Sequence, residues 1–219
     1  MKHIALLTTL LLSASLQAVE KPYDYVFFEN SLMKGDYFYS QAKYTSPSWI
    51  KNARHHLPVA GSVAFTPGNS LELTYVSAPG GDWYSEIQYC PVRGNDFFRE
   101  PSTLSMQVRL RESMNAAALP NIAIRYADST YTQYLNLRNY LKDTRPGVWH
   151  SVSIPLEDFG LNAVNDTNIK KLAAVALRPG TADGNEYTIY LDDIELLPAS
   201  LPSVSALNAP VLQLSLIHI

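Results

Sequence analysis

The 219-residue sequence contains a single cysteine, Cys90, so it cannot form an internal disulfide. That excludes a small disulfide-stapled scaffold. It agrees better with a Gram-negative periplasmic or surface protein than with a disulfide-rich eukaryotic one. There is no basic run and the net charge is −3, which sets nucleic acid and anionic membranes aside as partners. After the N-terminal leader no stretch is apolar enough to cross a bilayer, so no membrane span is expected. No long helical period of apolar residues occurs. A Ser-His-Asp spacing, a zinc motif and a phosphate-binding loop are all missing.

What is present begins with an export leader. Met1-Lys2-His3 is positive, Ile4 to Leu12 is apolar apart from Thr8 and Thr9, and Ser13 to Ala18 is rich in small residues. This pattern predicts a secretory signal peptide over 1–18 and a secreted, periplasmic or cell-surface location. Loss of Lys2 with the leader takes the net charge from −3 to −4. At the other end, Leu214-Ser215-Leu216-Ile217-His218-Ile219 reads as a translated sequencing adapter, and on that reading the natural sequence is cut at Gln213. Residues 198–213 open with Pro198-Ala199-Ser200-Leu201-Pro202-Ser203, a linker toward a missing downstream domain. Residues 19–197 suit one all-β domain.

Strand patterns recur along that domain. Leu104, Met106, Val108 and Leu110 alternate with Ser105, Gln107, Arg109 and Arg111, one face dry and one wet. Ser70 to Val76 alternates with Leu71, Leu73 and Tyr75 on one face. Further strands are predicted over Tyr23 to Phe28, Trp83 to Tyr89, Ile122 to Tyr126, Tyr131 to Leu137, Val148 to Leu156, Leu172 to Leu177 and Tyr187 to Leu197. Leu57 to Phe65 reads as a short strand pair, Ser31 to Ile50 as aperiodic, and Asp158 to Asn168 as a loop with one helical turn. Short strands at regular spacing, punctuated by Gly and Pro, predict a two-sheet antiparallel β-sandwich or jelly roll.

The closing strand carries Asp192-Asp193 in its middle. A carboxylate near a buried face needs a partner, and calcium prefers carboxylate and carbonyl oxygens. Two segments carry a more specific signal. Gly147-Val148-Trp149-His150-Ser151-Val152-Ser153-Ile154-Pro155-Leu156-Glu157-Asp158-Phe159 and Thr188-Ile189-Tyr190-Leu191-Asp192-Asp193-Ile194-Glu195-Leu196 resemble recurrent segments of galactose-binding-like jelly rolls. Phe27-Phe28-Glu29-Asn30 looks like the opening segment of the same fold. Together these resemble the accessory β-sandwich modules of secreted bacterial glycoside hydrolases, many of which bind carbohydrate. The resemblance spans Tyr23 to Leu197. It implies a structural calcium held by Glu29 and Asp192 with backbone carbonyls. Asp193 is set aside, because adjacent side chains on a strand face opposite ways. It also implies a packing role for Trp149.

Sugar binding needs flat rings against a pyranose and polar groups for its hydroxyls. The candidates are Trp83 and Tyr84 after the Pro79-Gly80-Gly81-Asp82 turn, Trp49, Tyr131 and Tyr134, with Arg125 as a donor. Each competes with simple packing. His55-His56 suits an exposed loop better than one metal, since adjacent histidines on an extended segment diverge. Asp82, Glu86, Asp96 and Glu100 offer carboxylates for hydrolysis, but nothing fixes their separation. Cys90 reads as a small buried residue. The function expected is non-catalytic polysaccharide or oligosaccharide binding at the N-terminus of a truncated glycoside hydrolase. Two alternatives stand beside it: a structural module packed on the catalytic domain, and a jelly-roll polysaccharide lyase, which needs a Tyr, His and Arg cluster in a groove.

Overall fold

Alternating apolar residues build the interior from both sides. Leu104, Met106, Val108 and Leu110 are buried, and Ser105, Gln107 and Arg109 between them are only partly covered. A computed structural model describes residues 25–89, 101–161 and 171–198. The leader, Tyr23, Cys90, Asp96, Glu100, the loop after Leu161, the linker beyond Pro198 and the last six residues lie outside the described residues.

The strands run in chain order as β1 (Tyr25–Phe28), β2 (Asp36–Tyr37), β3 (Ser40–Thr45), β4 (Trp49–Ile50), β5 (Leu57–Ala60), β6 (Ser70–Val76) and β7 (Asp82–Gln88). They continue as β8 (Pro101–Leu110), β9 (Asn121–Tyr126), β10 (Leu135–Asn136), β11 (Trp149–Pro155), β12 (Leu172–Arg178) and β13 (Glu186–Pro198). An eight-stranded sheet has the order β11-β8-β13-β6-β5-β2, with β1 added on β13 and β4 on β6. A five-stranded sheet has the order β10-β9-β12-β7-β3. Every pairing is antiparallel, so the two-sheet sandwich is the fold.

The core lies between the sheets. Phe27, Leu71, Leu73, Tyr75, Val108 and Leu191 from the larger sheet meet Trp83, Ile87, Ile122, Ile124, Val175 and Leu177 from the smaller. The Tyr25 hydroxyl donates to the Leu172 carbonyl and ties the first strand to the smaller sheet.

Several local expectations shift. Ser31 to Ile50 lacks a period because it holds three short strands, β2, β3 and β4, divided between the two sheets. The predicted pair over 57–65 is one strand ending at Ala60. The residues after it form a loop over Asp192. Tyr131 to Leu137 is extended but pairs only through a bridge at Tyr131 and through β10, and Leu137–Asn139 coils into a 3-10 turn. A helical turn at Leu156–Phe159 begins just before the expected 158–168 loop, whose residues 162–168 lie outside the described ones, and it is closed by Gly160 at φ 83°, a conformation glycine adopts without strain. In β13 the register slips between Asp192 and Glu195, and Asp193 sits at φ 45°. A bulge of this kind adds an unpaired residue and re-aims its side chain.

Candidate functional site

The outer face of the five-stranded sheet gathers most of the polar and aromatic side chains singled out from sequence. On β7, Trp83, Ser85 and Ile87 are buried toward the core, so Asp82, Tyr84 and Glu86 face outward. Register then places Gln41 opposite Glu86 and Lys43 opposite Tyr84 on β3. On β12, Ala176 lies opposite Glu86, and on β9 Arg125 lies opposite Ala174. The alanines leave room for longer side chains to fold across them.

Tyr131 uses that room. It bridges Arg125 on β9, yet its hydroxyl donates to Glu86 Oε1 on β7 at 2.7 Å, so its ring reaches across β12. Glu86 is the hub of the face, 2% exposed although it points outward. Its other oxygen accepts from Gln41 Nε2, whose own Oε1 accepts from the Tyr84 hydroxyl at 3.2 Å. Arg125 Nε lies 3.0 Å from Glu86 Oε1, an ion pair whose N–H is not aimed at that oxygen. Tyr131 and Tyr134 remain 37% and 36% exposed, with near-parallel rings 6.0 Å apart. Burial, reinforced by the bond to Glu86, pushes the Tyr131 hydroxyl up to about 12. It therefore stays a protonated donor at neutral pH and is no base there.

Arg178 closes the other end of the face. Its Nε donates to the Tyr134 hydroxyl at 3.0 Å and its Nη1 to Asp82 Oδ2 at 3.0 Å. The guanidinium lies over the Tyr84 ring at 5.7 Å and the Tyr134 ring at 5.8 Å, within cation–π range.

Of the sequence candidates, Tyr84, Tyr131, Tyr134 and Arg125 thus come together. Trp83 does not join them. It is 1% exposed, packs on Tyr75 at 4.8 Å and donates its Nε1 to Ser77 Oγ at 2.9 Å. Adjacent residues on a strand cannot both face out, and Tyr84 holds the outer side. Trp49 pairs with Val76 in the larger sheet, away from this face. Arg178, Glu86, Gln41 and Asp82 were not proposed as binding residues. Alternation through β7 and β12 was the available signal for the first two. Trp149 is half-buried against Phe65, ring centroids 6.0 Å apart, in agreement with packing.

Asp82 and Glu86, the two of the four candidate carboxylates that lie among the described residues, do not form a hydrolytic pair. They stand four residues apart on one strand, about 13 Å, beyond the roughly 5–9.5 Å that glycoside hydrolysis uses. The five strands of this sheet carry no histidine themselves, and His55 and His56 lie in the loop against β3, where the Ala42 amide donates to the His55 carbonyl at 2.8 Å and His56 Nδ1 lies 2.5 Å from the Ser40 carbonyl oxygen.

The acidic pair of β13 lies on the other sheet. Asp192 is fully buried, and its Oδ2 accepts from the amides of Phe65 at 2.7 Å and Thr66 at 3.2 Å. Its Oδ1 accepts from the Asp193 amide at 2.9 Å. Burial pushes its carboxyl up to about 6, with the Phe65 amide opposing and the Asp193 charge adding. Asp193 Oδ2 accepts from Thr66 Oγ1 at 2.7 Å, while its Oδ1 is buried without a hydrogen-bond partner. The bulge therefore turns both carboxylates to the same loop, where strict alternation had separated them. Glu29 is half-buried, one residue beyond the Phe28–Ile194 pair. Among the described residues no group of three or more His, Cys, Asp or Glu is placed to hold a metal.

Residues 24–197 match the family described as carbohydrate binding domain 30. The chain belongs to that family. It is a carbohydrate-binding module, and the galactose-binding-like sandwich expected from sequence is the fold of its relatives. Its structure is similar to a β-1,2-glucanase from Parabacteroides distasonis, at 99% identity and TM-score 0.81, covering 87% of this chain and 27% of that one. The chain thus spans little more than a quarter of that protein's length. The module is also similar in fold to the family 30 module of a cellulosomal cellulase of Clostridium thermocellum, at 16% identity and TM-score 0.58, covering 81% of this chain and 99% of that one. A family 11 module from Clostridium thermocellum, solved with a β-1,3-1,4-mixed-linked tetrasaccharide, matches at 13% identity and TM-score 0.50, over 74% of this chain and 90% of that one.

Proposed function

We propose that the module binds a soluble β-glucan, with β-1,2-glucan foremost, along the outer face of its five-stranded sheet. The observation that carries this is the convergence of Tyr84, Tyr131, Tyr134, Arg125 and Arg178 on one face around buried Glu86. Near-identity to part of a β-1,2-glucanase supports the glucan class. The module is read as the N-terminal accessory part of a secreted glycoside hydrolase, with the leader over 1–18 directing export and 198–213 leading to the catalytic domain. In affinity electrophoresis against β-1,2-glucan, mixed-linkage glucan, carboxymethyl cellulose and starch, β-1,2-glucan should retard the protein most. Free migration on every glucan would sink the proposal.

Calcium remains a proposed brace with an altered ligand set. Both oxygens of Asp192 are engaged by backbone amides, so the oxygen open to a cation is the buried, unpartnered Asp193 Oδ1. Glu29, at the adjoining end of β1, is the second carboxylate. Calcium takes six to eight oxygens, so carbonyls and water complete the shell. Its role would be structural: neutralising the adjacent carboxylates of Asp192 and Asp193, which both turn to the 65–66 loop. The melting temperature is expected to fall on chelation and recover on adding calcium, because a ligand bound only to the native state raises it. An unchanged melt removes the ion.

A further inference from the structure

We propose that Arg178 is the specificity-determining residue of this face. From between two tyrosine rings it reads glucan hydroxyls, and so selects soluble, turning chains over flat crystalline ribbons. The proposal rests on the reading that this face binds glucan.

Three observations carry it. First, the guanidinium has five N–H donors in a planar fork. Tyr134 and Asp82 each take one, and the side chain is still 39% exposed, so the remaining donors face the solvent a ligand would displace. Hydroxyl oxygens are what those donors bind.

Second, the arginine is held in place before any ligand arrives. The backbone just beyond it is fastened by Asn121 Nδ2 donating to the Pro179 carbonyl at 2.6 Å and by the Thr181 amide donating to the Ala117 carbonyl at 2.8 Å. Gly180 passes so close to the 117–119 turn that a Cβ there would lie 2.2 Å from the Leu119 oxygen. Two rings and a carboxylate then restrain the head group. A surface arginine normally loses rotamer freedom on binding, and prior ordering removes that cost from the binding step.

Third, its position breaks the aromatic surface. A flat glucan ribbon laid on tyrosines needs ring faces in an unbroken row. Here a cation lies over both Tyr84 and Tyr134, and Lys43 adds a second over Tyr84 at 5.8 Å. The surface alternates ring, donor, ring. It matches a chain that bends between sugars and turns hydroxyls toward the protein, as closely spaced linkages on adjacent ring carbons require.

The test uses the purified full chain, titrated calorimetrically with soluble β-1,2-gluco-oligosaccharides and sedimented with microcrystalline cellulose. The wild type should bind the oligosaccharides and stay in the cellulose supernatant. Arg178→Ala should weaken oligosaccharide binding about tenfold or more, the loss of charged hydrogen bonds. Arg178→Lys should restore little, because an ammonium cannot reproduce the fork that spans Tyr134, Asp82 and ligand. Thermal melts of both variants serve as the fold control, and Arg178→Lys carries the test if the alanine variant fails to fold. Wild-type affinity in Arg178→Ala overturns the proposal, as does strong retention of the wild type on cellulose. If Tyr131→Ala abolishes binding while Arg178→Ala does not, the face is the site and Arg178 is not its reader. If the wild type binds no soluble glucan, the binding reading falls and this proposal with it.

Discussion

A chain carrying Glu86→Ala is expected to lose about 3–5 kcal/mol of stability, the usual cost of removing one partner from a buried charge pair. Its affinity for glucan should fall with it. The truncation leaves Arg125, only 16% exposed in its side chain, without its counter-charge. It also leaves the Tyr131 hydroxyl and the Gln41 amide without their acceptor. Buried donors stripped of partners keep their desolvation cost and gain nothing in return. The ring of Tyr131 is held across the sheet by that hydroxyl bond and by its stacking on Tyr134, so loss of the bond should loosen the ring a sugar would meet. Urea unfolding measures the first effect and calorimetric titration the second. Glu86→Gln keeps the shape and one acceptor, so it should fall between. A Glu86→Ala protein as stable as wild type would show that the hub is an exposed, water-screened cluster.

Trp83→Ala is expected to cost about 3–5 kcal/mol, the range for deleting a large aromatic from a packed interior. The ring is buried against Tyr75 and its Nε1 is satisfied by Ser77 Oγ, so the variant opens a cavity and strands a hydroxyl. The more informative variant is Trp83→Phe. It keeps most of the volume, should destabilise less, and should leave glucan affinity unchanged. Thermal melts and titration separate the two outcomes. A folded Trp83→Phe protein with abolished binding would return this tryptophan to the site and contradict its placement on the core side of β7.

What the sequence made legible follows from how far each signal reaches along the chain. Leu104 to Leu110 declares its strand because one face is dry and one wet, and the period of two is local. The acidic pair declared a special position for the same reason. Its geometry escaped because alternation assumes a regular strand, and the bulge at Asp193 breaks that assumption. Trp83 and Tyr84 show the same limit from the other side: alternation forbids both facing out, and choosing between them needs to know which side is core. Arg178 escaped because its partners lie 44 and 96 residues away, joined only by the register of β12 with β7 and β9. The segment 31–50 hid β2, β3 and β4 because each contributes too few residues for a period to show.

The position of β13 bears on the order of events during synthesis. The last strand of the module is an interior one, bonded to β6 and β8, and the first strand, β1, is bonded to it. Tyr25 finds its partner at Leu196, across nearly the full length of the domain. Before that strand leaves the ribosome, β6 and β8 have an empty lane between them and β1 has nothing to pair with. The larger sheet therefore cannot close in stages from the N-terminus, and its contacts are among the slow, non-local kind. A nascent chain stopped before residue 186 should remain open and protease-sensitive, with β1, β6 and β8 all short of a partner, and it becomes a folded sandwich in a late step.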